Sequence, residues 1–121
     1  MIYFKANNKE YPASIAGRVT DRDWGNRESK AITLEMTYAA AAELFTDGLA
    51  WSIVQRDMVP VYAEDGADTG EVTEQVQEWD NSDFCVAGSI TDNRNGTVTC
   101  KMGKKTDSDI LAELEAAYDG N

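Results

Sequence analysis

Three groups of side chains in this sequence are of kinds that chemistry uses. Cys85 and Cys100 are its two thiols. A thiol attacks only as the thiolate, which needs a neighbour that lowers its pKa. Gly103-Lys104-Lys105-Thr106 precedes a helical pattern and has the residue types that end a phosphate-binding loop. Glu64, Asp65, Asp68 and Glu71 could hold a hard cation through carboxylate oxygens.

None of the three meets the full requirement of its chemistry. The phosphate-loop pattern G-x-x-x-x-G-K-[ST] needs a glycine where Val98 stands, and Lys105 separates Lys104 from Thr106. The spacing of Glu64, Asp65, Asp68 and Glu71 departs from the calcium pattern D-x-[DN]-x-[DN]-G, so the stretch reads as a solvated acidic loop. Among 22 acidic residues, no pair can be singled out for glycoside hydrolysis. The chain has no histidine. That removes the commonest general base and metal ligand, and with it every Ser-His or Cys-His nucleophile. The reading therefore assigns no catalytic, cofactor-binding or metal-binding residue and expects no enzyme. Trp24 and Trp79 each stand beside a turn rather than within an apolar stripe. Trp24 can stack with Arg27 across its loop. Exposed aromatics near hairpin tips also anchor protein partners, which makes Trp24, Arg27 and Trp79 the candidate contacts.

These residues hang on a series of hairpins. Ala13–Thr37 reads as a long one around Gly25-Asn26. A two-residue type II′ loop there sets Trp24 opposite Arg27, Asp21 opposite Lys30, Val19 opposite Ile32 and Ile15 opposite Met36. Ile15, Val19, Ile32, Leu34 and Met36 then share one apolar face, which a one-residue slip would divide. A smaller hairpin, Ile2–Ala6 with Lys9–Pro12, turns at Asn7-Asn8 and sets Phe4 opposite Tyr11 and Lys5 opposite Glu10. Its apolar face continues in phase, so one strand serves both hairpins and makes a three-stranded meander.

Tyr38–Asp47 reads as a helix, capped by Thr37, ended at Gly48 and carrying an apolar stripe of Ala41, Leu44 and Phe45. Leu49–Arg56 and Met58–Ala63 read as strands, the second confined to an edge or ended by Pro60. With the polar strand Glu71–Trp79, they suggest a hairpin that projects from the body. Asp83–Asp92 and Thr97–Lys104 pair around Arg94-Asn95-Gly96, with Gly96 in a left-handed bulge position. That register sets Cys100 opposite Ile90 and Cys85 opposite Lys105, on opposite faces, so both thiols are expected free. Asp107–Tyr118 is a final helix with Thr106 and Asp109 as a partial capping box. Its expected buried stripe is Ile110, Leu111, Leu114, Ala117 and Tyr118.

The 121 residues suffice for one domain with a proper core. The expected fold is α+β: an antiparallel sheet or partly open barrel of about six to seven strands, built of meander hairpins, with one helix mid-chain and one at the C-terminus. A net charge of −11 repels phosphates and anionic lipid, which argues against direct nucleic-acid or membrane contact. The same charge, gathered on one face, could imitate DNA. No apolar run approaches the roughly 20 residues that span a bilayer, and Met1-Ile2-Tyr3-Phe4-Lys5 does not read as a signal peptide. The expected location is the cytoplasm or a particle assembled there.

The phrases DRDWGNRESKAITLEMTY, LFTDGLAWSIV and DNSDFCVAGSITDNRNGTVT resemble small uncharacterised proteins encoded by prophages of gut Firmicutes. The resemblance covers most of the chain. It implies a phage-related context, a tail or virion-assembly component, and transfers no functional residue. The expected function is that of a non-enzymatic structural or interaction protein with protein partners, self-association among them, and no cofactor or small-molecule substrate. The alternatives are a small acidic inhibitor of a host nucleic-acid-binding protein and, third, a carboxylate-based enzyme.

Overall fold

The computed structural model describes residues 1–119, and the side chains of all of these but Arg18, Tyr118 and Asp119. Seven strands and two helices follow one another: β1 (Ile2–Ala6), β2 (Lys9–Asp21), β3 (Arg27–Glu35), α1 (Tyr38–Leu44), β4 (Trp51–Tyr62), β5 (Asp68–Asp80), β6 (Val86–Asp92), β7 (Thr97–Gly103) and α2 (Asp107–Asp119). The strands form one sheet in the order β5-β4-β1-β2-β3-β7-β6, and each neighbouring pair is antiparallel. The fold is α+β.

A short loop dictates the curvature of this sheet. β5 and β6 lie at its opposite ends, yet only residues 81–85 join them. Laid flat, seven strands would hold their edges roughly 29 Å apart, while that connection reaches at most about 20 Å. The sheet is therefore open but strongly curved. Its concave side gathers Phe4, Ile32, Leu34, Trp51, Phe84 and Met102 into one buried core, with Ala41 and Phe45 of α1 packed into it. The Phe4 ring lies 4.9 Å from that of Phe45 and 5.3 Å from that of Trp51. The closing loop is stitched into the core. Trp51 Nε1–H donates to the Phe84 carbonyl at 2.9 Å, and Asn81 N–H donates to the Trp51 carbonyl at 2.8 Å.

The first hairpin has the expected register, with Phe4 opposite Tyr11 and Lys5 opposite Glu10. Asn7 and Asn8 both take positive φ, 54° and 63°, which short polar side chains tolerate. The last hairpin also turns as expected: Ile90 faces Cys100, Asp92 faces Val98, and Gly96 has φ 87°. A bulge between Ala87 and Ile90 ends that register early, and Cys85 falls outside the strand. Both thiols are free.

The central hairpin departs from the two-residue loop. Asp21 pairs with Arg27, and a 3-10 turn, Arg22–Trp24, fills the gap before Gly25 and Asn26 at φ 67° and 58°. The cause is local: the Asp21 carboxylate accepts the Asp23 N–H at 3.1 Å and so caps a turn in place of a ladder pair. The turn displaces the pairing by three residues and a bulge adds a fourth, so Ile15 faces Ile32 rather than Met36 and, the total being even, Ile15 stays on the face of Ile32 and Leu34. A bulge between Ala16 and Val19 then turns Val19 outward, to 56% exposure. Asp21 is paired with Lys101 at 2.7 Å, and Lys30 reaches Asn81.

Three further expectations need correction. α1 ends at Leu44 with Phe45 as its C-cap, and Gly48 instead donates its N–H to Cys85 O at 2.7 Å. Leu49–Arg56 and Met58–Ala63 are not two strands but one, β4, and Pro60 stands where that strand is an edge, as expected, because β1 pairs with it only as far as Gln55. The stripe of α2 is exposed: Ile110, Leu111 and Leu114 are 44%, 57% and 63% accessible. The Tyr118 side chain, expected in that stripe, lies outside those described. The capping box itself forms, with Thr106 and Asp109 exchanging N–H bonds at 3.0 and 3.2 Å.

Trp51→Phe keeps most of the volume but removes the indole N–H, leaving the Phe84 carbonyl without this buried donor. The expected loss is about 1–3 kcal/mol, against about 3–5 kcal/mol for Trp51→Ala, measured as shifts in urea unfolding.

Candidate functional site

The three candidate contacts lie in two different environments. Trp24 is half-buried, its ring laid over Gly88 of β6 and Gly103 of β7. A Cβ on Gly88 would come within 2.6 Å of that ring, and one on Gly103 within 2.4 Å of Arg27 Cδ. The Arg27 guanidinium lies 4.9 Å from the Trp24 ring centre. Its Nη1–H donates to the Lys104 carbonyl at 2.7 Å and to Asp109 of α2. Arg27 Nε is buried without a partner among the described residues. Trp24 and Arg27 thus tie the β2–β3 turn to β7 and to the start of α2.

Trp79 sits elsewhere. It faces Ile53 across β4–β5 and so shares the concave face with Phe4, but at the sheet edge it is 47% exposed. It marks the base of the largest feature outside the core. Beyond Arg56, which exchanges backbone bonds with Met1 at 2.8 and 2.9 Å, β4 has no neighbour but β5. Asp57–Tyr62 and the facing part of β5 therefore project as a two-stranded arm. Every residue of β5 is exposed. Met58, Tyr62, Val72 and Val76 of the arm are each 47–62% accessible. Apolar residues were legible here in the sequence, but nothing in it showed that both faces stay uncovered.

The electrostatics of the arm are one-sided. From Asp57 to Asp83 there are nine acidic residues and no basic one. Among the described residues, the cations that meet the two strands of the arm sit at its root. Arg56 holds Glu10 through two bonds at 2.8 and 2.7 Å and Glu74 through one at 2.6 Å. Lys5 meets Glu78 at 3.0 Å, and the N-terminal amine meets Asp57 at 3.1 Å. The Arg56 hydrogen bonds hold the Glu10 carboxyl below its ordinary range. The N-terminal amine, then Gln55, does the same for Asp57.

The other sequence candidates hold little chemistry. Lys104 is engaged by Asp83 at 3.3 Å and Glu28 at 3.5 Å, and Lys105 by Glu113 at 2.6 Å, so the basic pair before α2 is met by carboxylates. Burial pushes the Cys100 thiol up to about 11, which keeps it protonated. Among the described residues no three Cys, Asp or Glu side chains converge as a metal site. A cleft of about 440 Å³ opens on the sheet between Ile2, Ala13, Ile15, Gly17 and Ile53, with Lys30 in its wall. No carboxylate is among its described lining residues.

No family model, no curated protein and no solved structure matches the chain. No helix among the described residues is long and apolar enough to cross a membrane.

Two outcomes follow from the Trp24–Arg27–Asp109 contact. Gly88→Ala should displace the indole, shift tryptophan emission to the red and cost about 1–3 kcal/mol through overpacking. Arg27, then the Thr106 N–H, holds the Asp109 carboxyl down to about 2 from an ordinary 3.8. A depressed carboxyl contributes stability above its unfolded value and loses it as pH falls through the folded one. The anchoring of α2 should therefore weaken between about pH 4 and pH 2, and Asp109→Asn should flatten that part of the unfolding profile.

Proposed function

We propose that the protein is a non-enzymatic interaction protein of a phage-related assembly, and that the β4–β5 arm is the element that joins it to other proteins. The observation that carries this reading is the arm itself. A two-stranded ribbon is marginally stable alone, yet this one leaves Met58, Tyr62, Val72 and Val76 in solvent on a projecting element. Exposed apolar residues gathered in this way mark contact surfaces more often than accidents of folding. Trp79 at the root is an aromatic anchor of the kind that dominates interfaces. The exposed Ile110, Leu111 and Leu114 of α2 offer a second apolar surface. The phage context rests on the resemblance of the three sequence phrases, and with it the location in the cytoplasm or in a particle.

One observation favours a second reading, the acidic inhibitor of a nucleic-acid-binding protein. The acidic residues are not evenly spread: nine of 22 lie between Asp57 and Asp83. Competition with duplex DNA for a DNA-binding protein is what that reading requires.

The first reading is tested by shortening the arm. Asp57 and Gln75 face each other in the ladder, so replacing residues 58–74 by an Asn-Gly turn preserves the root. The shortened protein should keep its core stability within about 1 kcal/mol, as expected for surface changes away from the core. It should also lose association, followed by sedimentation velocity and by recovery with phage particles. Equal association by both forms would sink the reading.

A further inference from the structure

β5 is a long edge strand, and the bulge in its pairing with β4 falls before residue 72. Natural edges are blunted by Pro, Lys, bulges or short length, because their free N–H and C=O groups template another strand. β5 runs for 13 residues and contains neither Pro nor Lys. Its two ends are closed locally. Gly70 N–H donates to Asp68 Oδ1 at 2.9 Å, and Glu71 N–H to Thr69 Oγ1 at 3.2 Å. At the far end, Ser82 N–H donates to Asp80 Oδ1 at 3.0 Å. Between these closures, the outer backbone groups of residues 72–78 have no bonding partner among the described residues.

The side chains beside this open edge say what fits it. Pairing with β4 places Val72, Glu74, Val76 and Glu78 on one face, with Met58 and Pro60 next to them. Arg56 and Lys5 each engage only Oε1 of Glu74 and Glu78. The second oxygen of each glutamate has no protein partner among the described residues. A second copy of β5 would bring another uniformly acidic arm against this one, which repulsion opposes. A nucleic acid is opposed for the same reason.

We propose that residues 72–78 accept an extended basic segment of another protein as an added strand. Residues opposite Glu74 and Glu78 are four apart on the incoming chain, and the one between them lies over Val76. The segment therefore carries the pattern basic-x-apolar-x-basic, its backbone pairing with the edge and its cations reaching the free carboxylate oxygens. This is β-strand addition, with charge deciding which strand is admitted. The proposal rests on the reading of the arm as the docking element and names the chemistry of what docks.

The test uses the intact protein and a blocked nine-residue peptide of threonines, with lysine at its second and sixth positions and valine at its fourth and eighth. Binding is read by fluorescence anisotropy, and its location by amide hydrogen exchange. The peptide should bind, and protection should rise in residues 72–78. Kd should rise at least tenfold for a peptide with glutamate in place of lysine. The same rise is expected for one of equal charge with a central proline, and for the Glu74→Gln, Glu78→Gln protein, whose urea midpoint checks its fold. Equal binding of the proline peptide would reduce the effect to general charge attraction and overturn strand addition. Self-association that protects the same amides would make a second copy the occupant and also overturn it. If the peptide fails to bind while the shortened arm abolishes association, the basic strand is wrong and the arm reading survives. If the shortened protein associates normally, the arm reading fails first.

Discussion

The five residues between β5 and β6 constrain everything else in this molecule. They must connect the two ends of a seven-stranded sheet, and they can do so only if the sheet rolls. Trp51 and Phe84 make that closure an energetic matter as well as a geometric one. The indole N–H and the Phe84 carbonyl satisfy each other in the core, and both rings are almost fully buried there. Asn81, itself buried, bonds the Trp51 carbonyl through its own N–H and receives Lys30 on its side chain. Buried polar groups persist when paired, and here the paired ones sit where the sheet closes.

Rolling the sheet has a consequence for its edges. The core needs only the near half of β4, so the far half and its partner strand are left without a second layer. α2 is left out for a related reason. Its first turn is bound by Arg27 and Thr106, but the core is already filled by Phe45 and Ala41 of α1. Two elements with apolar residues thus remain uncovered on a chain whose interior is otherwise complete. Under the proposed reading that uncovered surface is where a partner docks, and the acid density of the arm limits what can cover it.

Much of the fold was legible because local chemistry agreed with the global result. Asn7, Asn8 and Gly96 take the positive φ values that their turns require. Parity, rather than register, is what the alternating pattern reports. Ile15, Ile32 and Leu34 were therefore placed on the right face although the pairing was displaced, while Val19 was turned outward. Three residues of the displacement come with the turn that Asp21 caps through a backbone N–H, and the fourth with the bulge between Ala16 and Val19. The pattern of α2 misled for a different reason: Ile110, Leu111 and Leu114 have helical spacing, and spacing cannot tell whether a surface exists to receive it.

By itself, then, the sequence determined the local elements. It set the turns by φ preference, the inward set of each hairpin by period-two alternation, the helix caps by side-chain hydrogen bonding, and the absence of any histidine-based chemistry by composition. Tertiary structure decided the rest. Trp24 and Arg27 look like Trp79 in sequence, each near a turn, but the pairing of β3 with β7 and of β7 with β6 sets Trp24 over two glycines that have no side chain to exclude it. Trp79 stays at an edge where nothing arrives. The difference lies in distances between strands far apart in the chain, and these exist only once β3, β7 and β6 have paired side by side.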